Sequence, residues 1–115
     1  MAAAVSALAS KVTDLTAGLG LTQEQIGQIV DASARSVSRW SAGEVVPQRL
    51  NRQRLIELAY VAEAATEILP RDAANDWMFT PNRMLDHDTP AARIHDGGYK
   101  DVMDLIEAIA DGVVM

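Results

Sequence analysis

The sequence predicts an all-α protein. Apolar residues recur at alternating spacings of three and four over several segments, which is the period of one helix face. Between those segments stand helix-start and helix-stop residues, among them Thr22 with Gln25, Thr89 with Pro90, and Gly43 before Pro47. With 115 residues there is room for one compact domain, or for two small helical units sharing a core. About six helices are expected, divided between a region spanning 1–69 and a second region spanning 70–115.

The first helix is expected over residues 4–17. Val5, Leu8, Val12, Leu15 and Leu19 form one apolar seam, and Gly18 and Gly20 close it. The seam either lies on the protein's own core or serves self-association; two heptads are too few for a free-standing coiled coil. The second helix runs from Gln23 to Val30. Leu21 precedes an N-capping Thr22, Gln25 completes a capping box, and Ile26 and Val30 point inward. Asp31-Ala32-Ser33 then forms a turn, with Ser33 as N-cap of a third helix from Ala34 to about Ala42. Val37 and Trp40 are its inward anchors, three residues apart.

Residues 48–69 read as one long helix. Leu55, Leu58, Ala59, Ala62, Ala65 and Leu69 make its stripe, which Ile56, Val61 and Ile68 widen. So broad a stripe requires burial on both flanks, making this helix the candidate for joining the two regions. Pro70 ends it. Asp72 is expected to cap a short helix ending near Phe79. Thr80-Pro81 and Thr89-Pro90 each have the form of a cap followed by proline at the first helical position. Gly97-Gly98 stops the second of these helices. Tyr99 to Ala110 is amphipathic through Val102, Leu105, Ile106 and Ile109. Gly112 ends it, leaving an apolar tail of Val113, Val114 and Met115.

Charge is distributed unevenly. The net formal charge of −6 argues against a protein that coats nucleic acid uniformly. Residues 1–52 carry five Lys/Arg against four acids, whereas residues 53–115 carry five against twelve. From Arg35 to Arg54 there are five arginines and one acid, Glu44. One basic patch on an otherwise acidic chain suggests a polyanion contact in the first half and another kind of partner in the second. Cysteine is absent, which excludes disulfides, Cys-based zinc sites and thiol nucleophiles. No stretch of about 18 apolar residues is present, and the N-terminus lacks a basic signal-peptide region, so a cytoplasmic protein without a membrane segment is expected.

Residues 21–47 resemble the helix-turn-helix of Xre-type repressors. Gly27 stands where that family needs a small residue because the second helix crosses closely. Ile26, Val30, Ala32, Val37 and Trp40 fill its apolar positions. The turn departs at Asp31, where glycine is usual, though aspartate tolerates the left-handed conformation better than most residues. The resemblance implies a recognition helix entering the major groove by its N-terminal turn. Arg35, Ser36 and Arg39 lie opposite Val37 and Trp40. Arginine can bind guanine in bidentate fashion or pair with phosphate. Ser33 and Ser38 could contact phosphate, and Arg49, Arg52 and Arg54 could hold the DNA backbone. The alternatives are a helical hairpin whose exposed face is merely basic, and a helix-turn-helix that no longer contacts DNA.

A second resemblance covers about 45 residues. Asp76-Trp77-Met78, Pro81-Asn82-Arg83-Met84-Leu85, Thr89-Pro90, Ile94 with Gly97, and a helix ending Ile109-Ala110-Asp111-Gly112 are similar to the toxin-binding domain of Xre/MbcA/ParS-type antitoxins. Length and tail are nearest the MbcA subgroup. The resemblance implies an antitoxin encoded beside a RES-domain toxin that degrades NAD⁺ or transfers ADP-ribose. Its C-terminal region would cover the entrance of the toxin's active site, and its helix-turn-helix would bind operator DNA and repress its own operon. A homodimer or a higher hetero-oligomer with the toxin is expected. Asp101, Asp104, Glu107 and Asp111 along the last helix could complement a basic NAD⁺ pocket. Gly112, Val113, Val114 and Met115 could insert into it, since an apolar tail is costly to leave in water. For the acids the alternative is a solvated surface, and for the tail it is fraying or packing on the chain's own core. Trp77 reads as core, and Pro81, Asn82 and Pro90 as turn and cap residues.

Nothing in the sequence assembles an active site. His87 and His95 stand near Asp86, Asp88 and Asp96, but a Thr-Pro break separates them, and exposed loop histidines are the better reading. No phosphate-binding glycine loop is present. No catalytic residue, metal or cofactor is expected. The functional alternative to the antitoxin is a stand-alone helix-turn-helix transcriptional regulator.

Overall fold

The computed structural model describes residues 2–112, and their side chains from residue 7 onward. Among them are seven α-helices and one 3₁₀ turn, and no strand. Helix α1 (Ala2–Leu19) buries Leu8, Val12, Leu15 and Leu19 against α3, α4 and α5, so its seam lies on the core. The side chain of Val5, the first residue of that seam, is outside the described residues. Gly18 is still helical; the stop is Gly20, at φ +73°, whose N–H reaches back to the Thr16 carbonyl. A left-handed residue just past the last turn lets the chain satisfy carbonyls that the helix leaves open.

Helix α2 (Gln23–Val30) starts with the expected capping box. The Gln25 N–H donates to Thr22 Oγ1 and the Thr22 N–H donates to Gln25 Oε1, each at 3.0 Å. Asp31 ends the helix in the left-handed region, φ 63°. Helix α3 (Ala34–Ser41) is capped by Ser33, whose Oγ accepts the Ser36 N–H at 3.0 Å. The close crossing depends on Gly27: a Cβ there would lie 2.4 Å from the Ala32 carbonyl oxygen.

Helix α4 (Arg49–Ile68) is the strut of the molecule and packs against α1, α2, α5, α6 and α7. Leu55, Leu58, Val61, Ala62 and Ala65 are buried, with Ile56, Ala59, Ile68 and Leu69 half-buried beside them. Its Asn51 amide donates to the carbonyls of Val30 at 2.7 Å and Asp31 at 3.1 Å, closing the C-terminal end of α2. Helix α5 (Arg71–Met78) performs the same service for α1. The Arg71 Nε donates to the Ala17 carbonyl and the Asn75 amide to the Leu19 carbonyl.

Three details differ from the sequence reading. Asp72 does not cap α5; it sits in the first turn beyond Pro70, its side chain almost fully exposed. Pro70 holds the N-cap position and has no side-chain acceptor, so Asp72 falls inside the first turn, past the place from which a side chain caps the helix. Thr80-Pro81 starts no α-helix. The Thr80 hydroxyl is drawn back to the Asp76 carbonyl, and Asn82 caps only a 3₁₀ turn (Arg83–Leu85) through the Met84 N–H. Asp86 and His87, both at positive φ, then turn the chain. Thr89 does cap α6 (Pro90–His95), with Pro90 in its first turn. Seven α-helices thus stand where about six were expected; of the eight segments read individually as helical, the one after Phe79 forms no α-helix.

Gly97, at φ +94°, separates α6 from α7 (Tyr99–Ala110), which buries Val102, Leu105 and Ile106 and half-buries Ile109. Gly112, at φ +74°, follows α7. The buried side chains of both regions form one cluster, with Trp77 half-buried against it.

Candidate functional site

Two surfaces carry the residues that the sequence singles out. The first is the outer face of α3. With Val37 and Trp40 buried, the helical period turns Arg35, Ser38 and Arg39 to solvent and leaves Ser36 half-buried. Ser33 and Ser36 are joined by their hydroxyls at 3.0 Å as well as by the cap, so both side chains already have partners at the N-terminus of α3. Arg35 has no ion-pair partner among the described residues. Arg39 has one, Glu44, at 3.5 Å.

Arg49 and Arg52 stand exposed at the start of α4. They line a cleft of about 350 Å³ together with Gln53, Ile56, Tyr60 and Tyr99. Tyr60 is among the few large hydrophobic side chains of the described residues that remain more than half exposed, at 57 %. Composition did not reveal this cleft, because Tyr99 reaches it from a helix some forty residues further along the chain.

Arg54 does not join this basic face. Its guanidinium donates to Glu57 Oε1 at 3.0 Å and, more weakly, to the His95 carbonyl at 3.4 Å. Both side chains of the pair are largely buried. Glu57 is the buried charged residue of the core and also accepts from the Gln53 amide at 3.3 Å. An expectation of DNA-backbone contact at Arg54 is thereby corrected. The stripe of α4 brings residue 54 to the side facing α6, where a carboxylate one turn on neutralises it.

The second surface is the outer face of α7. Asp101, Asp104, Glu107 and Asp111 are all exposed. They do not form a uniform strip. Asp101 accepts from Arg93 Nη1 at 2.8 Å, while Arg93 Nε donates to Asp88 at 3.1 Å and Nη2 to the Leu85 carbonyl at 2.6 Å. The hydrogen bond to Asp101 is the main reason the Arg93 guanidinium is held above its ordinary range; burial opposes it, and Asp88 adds to it. Asp104, Glu107 and Asp111 have no ion-pair partner among the described residues. Gly112 closes the described chain beside them, and Val113, Val114 and Met115 lie outside the described residues.

The end of α6 joins two of the helices behind these surfaces, α2 and α4. His95 Nδ1 is 3.3 Å from the Ile29 carbonyl in α2, and the His95 carbonyl accepts from Arg54. His95 is thus a joint between α2, α4 and α6, placed on a helix rather than in the loop the sequence suggested. Among the described residues no three metal-ligating side chains converge, and no helix is long and apolar enough to cross a membrane.

Known proteins resemble this chain in sequence and fold. The antitoxin Xre/MbcA/ParS C-terminal toxin-binding domain matches residues 64–112. The mycobacterial cidal antitoxin MbcA of Mycobacterium tuberculosis (strain ATCC 25618 / H37Rv) is 62% identical over 109 residues, covering 95% of this chain and 96% of that protein. The probable mycobacterial cidal antitoxin Rv3188 of the same strain is 28% identical over 104 residues, 90% of this chain and 89% of that one. A chain in the crystal structure of the M. tuberculosis MbcT–MbcA toxin–antitoxin complex superposes with a TM-score of 0.85 at 62% identity, covering 94% of this chain and 97% of that chain.

Proposed function

The chain belongs to the Xre/MbcA/ParS antitoxins, and on that premise we propose that it neutralises a RES-domain toxin by covering the toxin's active site with its C-terminal region. The partner is an NAD⁺-consuming enzyme encoded alongside. Residues 1–69 and 70–115 divide the work, the first facing operator DNA and the second the toxin.

The observation that carries this reading is the acidic end of α7. Asp104, Glu107 and Asp111 stand exposed and unpaired among the described residues, directly before Gly112 and the apolar Val113-Val114-Met115. A pocket built for an anionic dinucleotide is basic, so carboxylates at its rim fit its charge while an apolar tail enters. Asp101 has a weaker part, because Arg93 already neutralises it.

The outer face of α3 supports the second activity. Arg35 projects beside the capped N-terminus of the helix and Arg39 from its last turn, with Ser36 and Ser38 between them and Arg49 and Arg52 exposed at the start of α4. Unpaired backbone N–H groups at a helix start attract phosphate. In this reading the α2–turn–α3 unit docks α3 in the major groove, and the arginines of α4 hold the flanking backbone. Ser33 contributes through its cap.

Co-expression tests the pairing. The product of the neighbouring reading frame, a protein of about the size of one enzyme domain, should arrest growth alone. It should be tolerated, and should co-purify, when this chain is present. Failure to co-purify, with toxicity unrelieved, overturns the reading.

A further inference from the structure

We infer that Glu44 is a positioning residue for DNA recognition, holding Arg39 for base contact and repelling indiscriminate phosphate contact. The inference rests on the proposed DNA-binding role of α3. Glu44 is the one acid among the five arginines from Arg35 to Arg54. Its place is built rather than incidental. Gly43, at φ +73°, folds the chain back past the end of α3, so that the Gly43 N–H meets the Trp40 carbonyl and the Glu44 N–H meets the Arg39 carbonyl, each at 3.0 Å. That turn delivers the Glu44 carboxylate 3.5 Å from Arg39 Nε. Trp40, buried beside them, anchors the last turn of α3, from which Arg39 leaves.

An exposed ion pair of this kind adds little to stability, since side-chain ordering and water offset the attraction. Its consequence lies in what Arg39 does. A free arginine side chain on this face would reach any phosphate oxygen, and phosphate contacts carry no sequence information. A carboxylate standing 3.5 Å from Nε leaves the two terminal nitrogens free, and their fork matches the O6 and N7 of guanine. The same carboxylate repels the phosphate backbone. Glu44 therefore lowers general affinity for DNA and raises discrimination between sites.

The test compares the wild-type chain, Glu44→Gln, Arg39→Ala and the double variant. Each is studied alone and co-purified with the product of the neighbouring reading frame. The probes are a duplex carrying the region upstream of the chain's own reading frame and a scrambled duplex of equal composition. Glu44→Gln should bind scrambled DNA about threefold more tightly at low salt, with the logarithmic salt dependence steeper by about 0.9, the increment of one further phosphate contact. Preference for the upstream duplex should fall by at least as much. In the Arg39→Ala background Glu44→Gln should no longer lower that preference. Unchanged melting of the variants separates these effects from misfolding. If the wild type prefers the upstream duplex and Glu44→Gln leaves affinity, preference and salt dependence unaltered, the inference on Glu44 fails and the DNA reading stands. If no preparation of the wild type binds either duplex, both fail.

Discussion

Single residues decide how closely the helices approach. Gly27 has no room for a methyl group, because the obstructing atom is a backbone carbonyl that cannot swing aside. Gly27→Ala should cost about 1–3 kcal/mol, the usual penalty of overpacking, and chemical denaturation would read it as a lower midpoint at unchanged slope. Arg93 has a comparable role in the C-terminal half, donating to Asp88, Asp101 and the Leu85 carbonyl at once. Arg93→Ala should lower the melting temperature and expose the turn at Arg83–Leu85 to hydrogen exchange. The pH dependence follows from its raised value. A cation held above its ordinary range contributes fully below that range and loses its contribution only as pH rises through it. The melting difference between Arg93→Ala and wild type should thus be equal at about pH 7 and about pH 9. A difference that shrank between them would mean that another group carries the effect.

Gly27 was legible in the sequence through the resemblance to the Xre-type helix-turn-helix, whose spacing asks for a small residue there. Arg93 was not, since its partners come from a turn before it and a helix after it. Asp31 was legible too, as a left-handed residue closing α2. The service that Asn51 performs there, from twenty residues away, leaves no periodic trace.

At the scale of elements, short-range chemistry set several of the helix starts. Thr22, Ser33 and Thr89 cap the helices they precede. The same rule misjudged Thr80, whose hydroxyl turned back to α5, because cap and back-bonding compete and the surrounding packing decides. Helix α4 joins the halves through its buried stripe and through Arg54 and Glu57. Arg54→Ala leaves the Glu57 carboxylate short of its main donor in a place with little water. It should destabilise the fold by about 1–3 kcal/mol, and Glu57→Gln in the same background should recover part of the loss. No recovery would mean that Arg54 acts by packing alone. For α3, Arg35→Ala and Arg39→Ala should each weaken binding to the upstream duplex by about 1–3 kcal/mol. Unaltered gel shifts for both would favour an interaction protein whose α2–α3 unit does not touch DNA.

On the scale of the whole molecule, the uneven charge becomes a division of surfaces. Among the described residues, basic side chains gather on α3 and the start of α4 and unpaired acids on α7, and α6 packs against α2, α4 and α7. Composition predicted this separation; it did not predict that Arg54 and Asp101 would be withdrawn from it by partners of their own. The acids most exposed to a partner are those nearest the end of the chain. The most direct measurement is NAD⁺ consumption by the purified toxin, titrated with the full chain and with the chain lacking residues 112–115. Full-length protein should abolish turnover at equimolar ratio. The truncated chain should still co-purify with the toxin through α7, bind DNA as before, and leave turnover largely intact. Complete inhibition by the truncated chain would contradict a tail that closes the active site.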